Sequence, residues 1–446
     1  MAPNIPLNLI IMRKLFLSAI AVFALNSCQN EESPADSFQM KTVNADYTAA
    51  CSLPVQTVSG TITSNTIWTN DRVWSIEGVV RVIGAKLTIQ AGTFIKAKPL
   101  ALGVATGILV ITKTGQIDAQ GTSTAPIVFT SYNLLDCNAG TFAAPGDFGG
   151  VVLLGDAPVN NGMTTNVIEG LGDQPNITNF YYGGSNPSHN TGNLNYIRIE
   201  FAGRILAPED EVNGLTFGGV GNGTVVDHIQ VSYSIDDSFE FFGGTVNAGH
   251  LVSFAPRDDN FDFDLGYTGT ITKAIALASQ DSQHSLSAGN PGSNGIELDN
   301  GNITTIITRP IISQLSIIGM NTLGCNVCIP QGASVYKNAI HIGTNAQIKL
   351  SNTTVTGYST GIQWQSPSLP VNSTWSSLSI HGFIDPVLPL GTLLGFGSTA
   401  SAASSAPTWG LTQPFFNSGT LNFTGSTGAF KTEANWTDTW TKFDNF

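Results

Sequence analysis

Nine carboxylates between residues 236 and 299 recur at positions where they could act together: Asp236, Asp237, Glu240, Asp258, Asp259, Asp262, Asp264, Glu297 and Asp299. Asp236 and Asp258 are 22 residues apart, as are Glu240 and Asp262. Three segments share one pattern: Phe239-Glu240-Phe241-Phe242, Phe261-Asp262-Phe263-Asp264 and Ile296-Glu297-Leu298-Asp299. Side chains alternate across a strand. Phe239, Phe241, Phe261, Phe263, Ile296 and Leu298 would therefore share an inner face. Glu240, Asp262 and Glu297 would form an outward row, with Asp264 and Asp299 in a second one. If the segments stack about 4.8 Å apart, like charges face one another and destabilise the sheet. One carboxylate would then titrate high unless a cation lies between them. Oxygen-only clusters suit Ca²⁺, which takes six to eight oxygen ligands at about 2.3–2.6 Å. All nine residues are thus candidate calcium ligands. The competing reading is a solvated acidic face in which Asp serves turns.

The elements that would carry this row follow from the repeat. Leu87 to Leu109, Ile89 to Ile111, Ile95 to Ile117 and Ala97 to Ala119 are each 22 apart. So are His228 to His250, Phe239 to Phe261, Phe241 to Phe263, Gly244 to Gly266 and Ile340 to Ile362. A unit this short cannot bury a strand face alone and must stack on its neighbours. It is too short for a propeller blade of about 40 residues. Three short strands and three turns per coil fit best, so the expected fold is all-β, a right-handed parallel β-helix of about 22 residues per coil. A β-sandwich, the alternative, has no reason to keep one period at distant places. The step of 35 from Phe261 to Ile296 reads as one coil carrying an inserted loop. Residues 53–390 are assigned to the β-helix and 391–446, ending in Trp409, Phe415, Phe416, Trp436, Trp440 and Phe446, to a cap on its open end.

Several segments resemble a family of exported proteins from Bacteroidota and other Gram-negative bacteria. They are Leu87-Thr-Ile-Gln-Ala-Gly-Thr93, Ala125-Pro-Ile-Val-Phe-Thr-Ser131, Ile168-Glu-Gly170 and Tyr196-Ile-Arg-Ile-Glu-Phe-Ala-Gly203. Asp236-Asp-Ser-Phe-Glu-Phe-Phe-Gly-Gly244, Gly428-Ala-Phe430, Asn435-Trp436 and Trp440 extend the likeness over nearly the whole chain. Gly146-Asp-Phe-Gly-Gly150 departs from it, with Phe where the family has Trp. The resemblance implies a pectate-lyase-like β-helix of no settled activity. The name "multidrug transporter", often attached to such proteins, does not suit a chain with one lipidated cysteine and no expected membrane span.

Two classes of function remain in view. β-Helical polysaccharide lyases set Ca²⁺ on carboxylates and use Arg or Lys as base. Arg257 beside Asp258 and Asp259, and Arg198 near Glu200, supply the parts, although Arg next to carboxylates is more often a plain ion pair. The galacturonidase motifs fail: Gly249-His250-Leu251 lacks the second glycine, and no Arg-Ile-Lys occurs. His228 and His250 share a coil position and read as a structural stack, since no third metal ligand is placed beside them. A G-x-S-x-G elbow, a P-loop and an H-E-x-x-H are missing from the sequence. The leading expectation is a non-enzymatic module that binds glycan or a surface protein, with Trp364, Trp375 and Tyr358 as candidate aromatic platforms or, equally, cap or core residues. The alternative is a calcium-dependent lyase or glycosidase on the acidic flank.

Eighteen Lys plus Arg against 31 Asp plus Glu give a net charge of −13. That balance lacks a phosphate-binding footprint, so nucleic acid is not an expected partner, nor is a nucleotide. Near the N-terminus, Arg13 and Lys14 precede the apolar run Leu15 to Leu25 and then Ser27-Cys28. Eleven helical residues rise about 16 Å, short of a bilayer core of about 30 Å. The run reads as a signal peptide over 1–27, with Met12 the sensible start and Cys28 lipidated. Gln29-Asn30-Glu31-Glu32 resembles a surface-export signal, and residues 28–52 read as a flexible tether. The expected location is the outer membrane, anchored by lipid and facing the cell exterior. Four cysteines remain, and an oxidising space permits disulfides: Cys325 with Cys328 is the candidate pair, leaving Cys51 and Cys137.

Overall fold

The computed structural model describes residues 45–97, 107–203, 205–207, 210–279, 293–303, 305–320, 337–365, 372–389, 397–411 and 425–443. Cys28, the Gln29–Glu32 run and the Cys325/Cys328 pair lie outside them.

The chain winds as a parallel β-helix of three stacked sheets. One coil runs from Val225 to Phe242. Its first strand bends at His228, so Val225–Asp227 joins one stack and Ile229–Ser232 a second, and Phe239–Phe242 then joins the third. The next coil repeats this in register, Val226 on Ala248, Ile229 on Leu251 and Phe239 on Phe261. Inward residues of all three stacks form one continuous apolar core. Rings stack along it: Phe217 on Phe241 at 4.6 Å, Phe241 on Phe263 at 4.9 Å, and Phe239 on Phe261 at 5.1 Å. Trp68 and Trp74, stacked at 5.2 Å, lie in the first coils, and Trp364 and Trp375, at 5.7 Å, near the last.

The predicted register holds in the middle and later coils. Glu240 pairs with Asp262, Asp262 with Glu297 across the 35-residue step, and Ile340 with Ile362. It fails in the first coils. Leu87 stacks on Ile117, not on Leu109, and Ile95 stacks on Phe129. Leu109 belongs to another sheet, beside Val80 and Val151. In-and-out alternation has the same period in every strand, so one pattern matched strands of different sheets once the coil had lengthened.

The bend between the first two stacks falls on one residue per coil: Tyr196, His228, His250, Lys273, Gln314, Asn352 and Ser377. All have φ between 49° and 59°. Such angles are uncommon for residues with a side chain, and here they turn the corner without breaking the ladder.

Part of each expected end segment differs from its assignment, although Thr399–Ser401 of the 391–446 segment does stack on Ser379–His381 at the end of the β-helix. Residues 45–50 of the 28–52 tether form a helix whose Tyr47 is buried. Cys51 at its end is disulfide-bonded to Cys137 across 86 residues, so the pair left over in the sequence reading is the one formed among the described residues. Tyr47 Oη donates to Glu200, which also pairs with Arg198 at 3.0 Å beneath the helix. Residues 427–443, assigned to an end cap, instead run back along the flank as a strap over the bend residues. Ala429 N–H donates to Ser316 Oγ at 3.0 Å, and Thr432 Oγ1 to Gln314 at 2.6 Å. Lys442 N–H donates to Gln230 Oε1 at 2.8 Å, and its ammonium lies 3.9 Å over the Tyr47 ring. The physical reason is visible in the strands beneath. Ile229–Ser232, Leu251–Phe254, Ala274–Leu277 and Leu315–Ile318 are buried on both faces, so the outer face needs a cover. No described helix is long and apolar enough to cross a membrane.

Candidate functional site

The third sheet carries the acidic row. Thr216, Glu240, Asp262, Glu297, His341 and Gln363 follow one another in register on its outer face. Outward does not mean solvated, however. Glu240 is only 6% exposed. The long segment between Gly150–Leu154 and Gly192–Glu200 folds over this face. Its Ile168, Leu171, Phe180 and Tyr182 pack on Ile108, Val110, Val152 and Leu154 as a second apolar cluster, with Phe242 against it. The Tyr182 and Phe242 rings lie 6.3 Å apart.

Just before the strands runs an inner ladder that sequence reasoning only half recognised. Asp237 N–H donates to Asn213 Oδ1 at 3.1 Å, and Asp259 N–H donates to Asp237 Oδ1 at 2.8 Å. Asn294 N–H donates to Asp259, and Asn338 Nδ2 to Asn294 Oδ1 at 3.0 Å. Asn213, Asp237 and Asp259 thereby each satisfy a backbone donor of the next coil, and Asn294 accepts from a side-chain amide, as buried polar groups require. Asn213 also donates its amide to Glu240. Asn213 and Asn294 were missed. Their signal was an Asn-Gly pair directly before a strand, 24 residues before Asp237 and 35 after Asp259.

Three of the candidates converge. Asp237, Glu240 and Asp262 each bring an oxygen within 4.8 Å of the others, and Asp236, Asp237 and Asp258 do the same beside them. Burial, then the neighbouring carboxylates, raise Asp237, Glu240, Asp259 and Asp262 well above the usual range. Asp262 Oδ1 is buried without a hydrogen-bond partner. Glu297 goes the other way. Burial works to raise it, but His341 at 2.9 Å outweighs that and holds it low. Asp264 and Asp299 do not join the cluster. Burial pushes Asp264 up to about 6 while its carboxylate accepts from Leu265 N–H. Asp299 is exposed and caps a turn, accepting from Asn300 N–H at 2.6 Å and Gly301 N–H at 3.1 Å. The turn reading thus applies to Asp299, and the cluster reading to Asp236, Asp237, Glu240, Asp258 and Asp262.

The other candidates separate cleanly. His228 and His250 stack at 4.1 Å with planes 10° apart, between Tyr196 and Lys273 in the bend column. Asp227 supplies the third group the sequence did not place, 3.0 Å from His228 Nδ1 and 2.6 Å from His250 Nδ1. The two rings lie parallel at stacking distance and share one carboxylate, the arrangement of a stacked ladder. Tyr358 is fully buried, Trp364 is 6% exposed and Trp375 packs on the core. They are interior residues, not an exposed aromatic platform.

Two solved structures share some of the winding: the catalytic domain of a GH87 α-1,3-glucanase in complex with nigerose, and its D1068A form with tetrasaccharides. Each is 12% identical and covers 77% of this chain, with TM-scores of 0.26 and 0.24. The match takes in 63% of each glucanase domain, too loose to bear on function. Among curated proteins nothing matches. The family model for the pectate-lyase-like β-helix domain matches residues 60–441. The chain belongs to that family.

Proposed function

We propose that this protein is a non-catalytic β-helical binding module, steadied by a calcium ion on its acidic row and displayed outside the outer membrane by lipid on Cys28. The observation that carries the calcium reading is the convergence of Asp237, Glu240 and Asp262 under a cover, with a buried Asp262 oxygen left without a partner. Carboxyl groups removed from water keep their protons unless a cation compensates the charge. An oxygen-only donor set with Asp236 and Asp258 at its edge fits a hard divalent cation. The glycan- or protein-binding role draws on the long solenoid flank, a kind of surface that repeat proteins use for binding.

The enzymatic alternative has one observation in its favour, since strongly raised carboxyls mark functional sites. Against it, Glu240 lies under the Tyr182 segment rather than in an open groove.

Two measurements test these readings. Chelation should lower the melting temperature, and added Ca²⁺ should restore it. An unchanged curve would sink the calcium site. Uronic-acid polysaccharides should yield no ultraviolet absorbance of an unsaturated product and should instead be retained by the immobilised protein. Product formation that is lost in Asp262→Ala would establish the lyase. Replacement of Cys28 by Ser should release the protein from the membrane fraction, and retention there would overturn the anchor.

A further inference from the structure

We propose that His250, set between Asp227 and the strap residue Glu433, is a pH-sensitive latch that holds the C-terminal strap most firmly when its imidazole is doubly protonated. The strap makes no strand pairing with the body among the described residues. It is fastened through side chains, one bend residue at a time: Gln314 to Thr432, Lys273 to Glu433, His250 to Glu433 and Trp436, and His228 and Tyr196 to Trp440. His250 faces a carboxylate on each side, with Nδ1 2.6 Å from Asp227 and Nε2 3.4 Å from Glu433. A neutral imidazole has one N–H and can donate to only one of them, whereas an imidazolium donates to both.

The charges around the column set what the His250 ring can pair with. Asp227 belongs to the strand that also carries His228, and Glu433 comes from the strap. Lys273, one coil on, pairs with Glu433 at 2.5 Å. Two carboxylates against one ammonium leave one negative charge, which one imidazolium neutralises. A second charge on His228, stacked at 4.1 Å, would repel the first. Tyr196 completes the column as a neutral phenol, its titration raised by burial and then by Asp227 and Glu433. Lys431 binds Asn352, and Lys442 lies over Tyr47, so neither reaches His250. Both carboxylates are held below their usual range. Burial works to raise Asp227, but hydrogen bonds from His228 and His250 outweigh it. Glu433 is held low first by Lys273. Docking is therefore tightest with an N–H on both ring nitrogens and loosens when one of these donors is lost.

The indole of Trp436, 5.2 Å from the His250 ring, reports on the latch. Its emission, isolated by subtracting a Trp436→Phe variant, should change once between about pH 5 and 8. Trimming of the last twenty or so residues by a protease active at both pH values should be about threefold faster at the alkaline end, the scale of one partly exposed ion pair. Both effects should vanish in His250→Gln and shrink in Glu433→Gln, whose exposed site makes misfolding no concern. A flat wild-type titration, or a transition that survives His250→Gln, would overturn the latch.

Discussion

Glu240 and Asp262 are neighbouring rungs of one parallel sheet, 22 residues apart in sequence and in direct register. With Asp237 they place three carboxylate oxygens within 4.8 Å under a cover of apolar side chains. The pair therefore needs either protons or a cation to be stable.

Asp262→Asn should remove one charge from this cluster while keeping its shape. Calcium-free protein should melt higher in the variant than in the wild type, because repulsion is relieved. The melting-temperature gain on adding Ca²⁺ should fall to less than half. Calorimetry with and without chelator reads both. A wild-type gain that persists undiminished would place the ion elsewhere.

Phe241 sits between Phe217 and Phe263 in the aromatic stack and is fully buried. Phe241→Ala should cost about 3–5 kcal/mol through lost burial and the cavity left behind. Denaturant unfolding measures it, and a loss below about 1 kcal/mol would show that the stack repacks.

The Cys51–Cys137 disulfide closes an 86-residue separation and pins the Tyr47 helix to the flank. Replacing both cysteines by Ser should cost up to about 4–5 kcal/mol on the chain-entropy account. Comparing unfolding midpoints of the two proteins tests this, and equal midpoints would contradict it.

His381 is fully buried, accepts at Nδ1 from Gly357 N–H at 3.1 Å, and faces Ala403 O at 2.9 Å through Nε2. That arrangement uses the neutral ring, and burial lowers its titration. The unfolded chain binds the proton more readily, so His381 stabilises the fold above about pH 6.5 and loses that contribution as pH falls. Stability measured from pH 7.5 to 5 should decline less steeply in His381→Gln than in the wild type. Parallel slopes would exclude this role.

Trp440 is fully buried against Tyr196 and His228. Trp440→Ala should loosen the strap, at a cost of about 3–5 kcal/mol. Protease should then remove the tail at least several-fold faster, as followed by mass spectrometry, and an unchanged rate would mean that the strap is held elsewhere.

Much of the third sheet was legible in the residues alone. Apolar and acidic residues alternate in Phe239–Phe242 and Phe261–Asp264, and the spacing of 22 sets them on adjacent coils. Strand pleat and coil length are local quantities, so Glu240, Asp262 and Glu297 fell into one row by counting. Counting failed where insertions altered the coil, as between Leu87 and Ile117. It set Asp264 and Asp299 together in a second row but could not tell that Asp299 caps a turn.

The chain's own pattern thus determined a parallel solenoid with an acidic column, because stacking demands only short-range periodicity. Tertiary structure alone decided what surrounds that column and its flank. The Tyr182 segment buries Glu240, Asn213 grips it, and the strap closes over His228 and His250. These contacts join residues 27 to 212 positions apart, as Asn213 to Glu240 and Gln230 to Lys442 illustrate. No periodicity links such partners; they meet because sheet faces apolar on both sides must be covered by some part of the same chain.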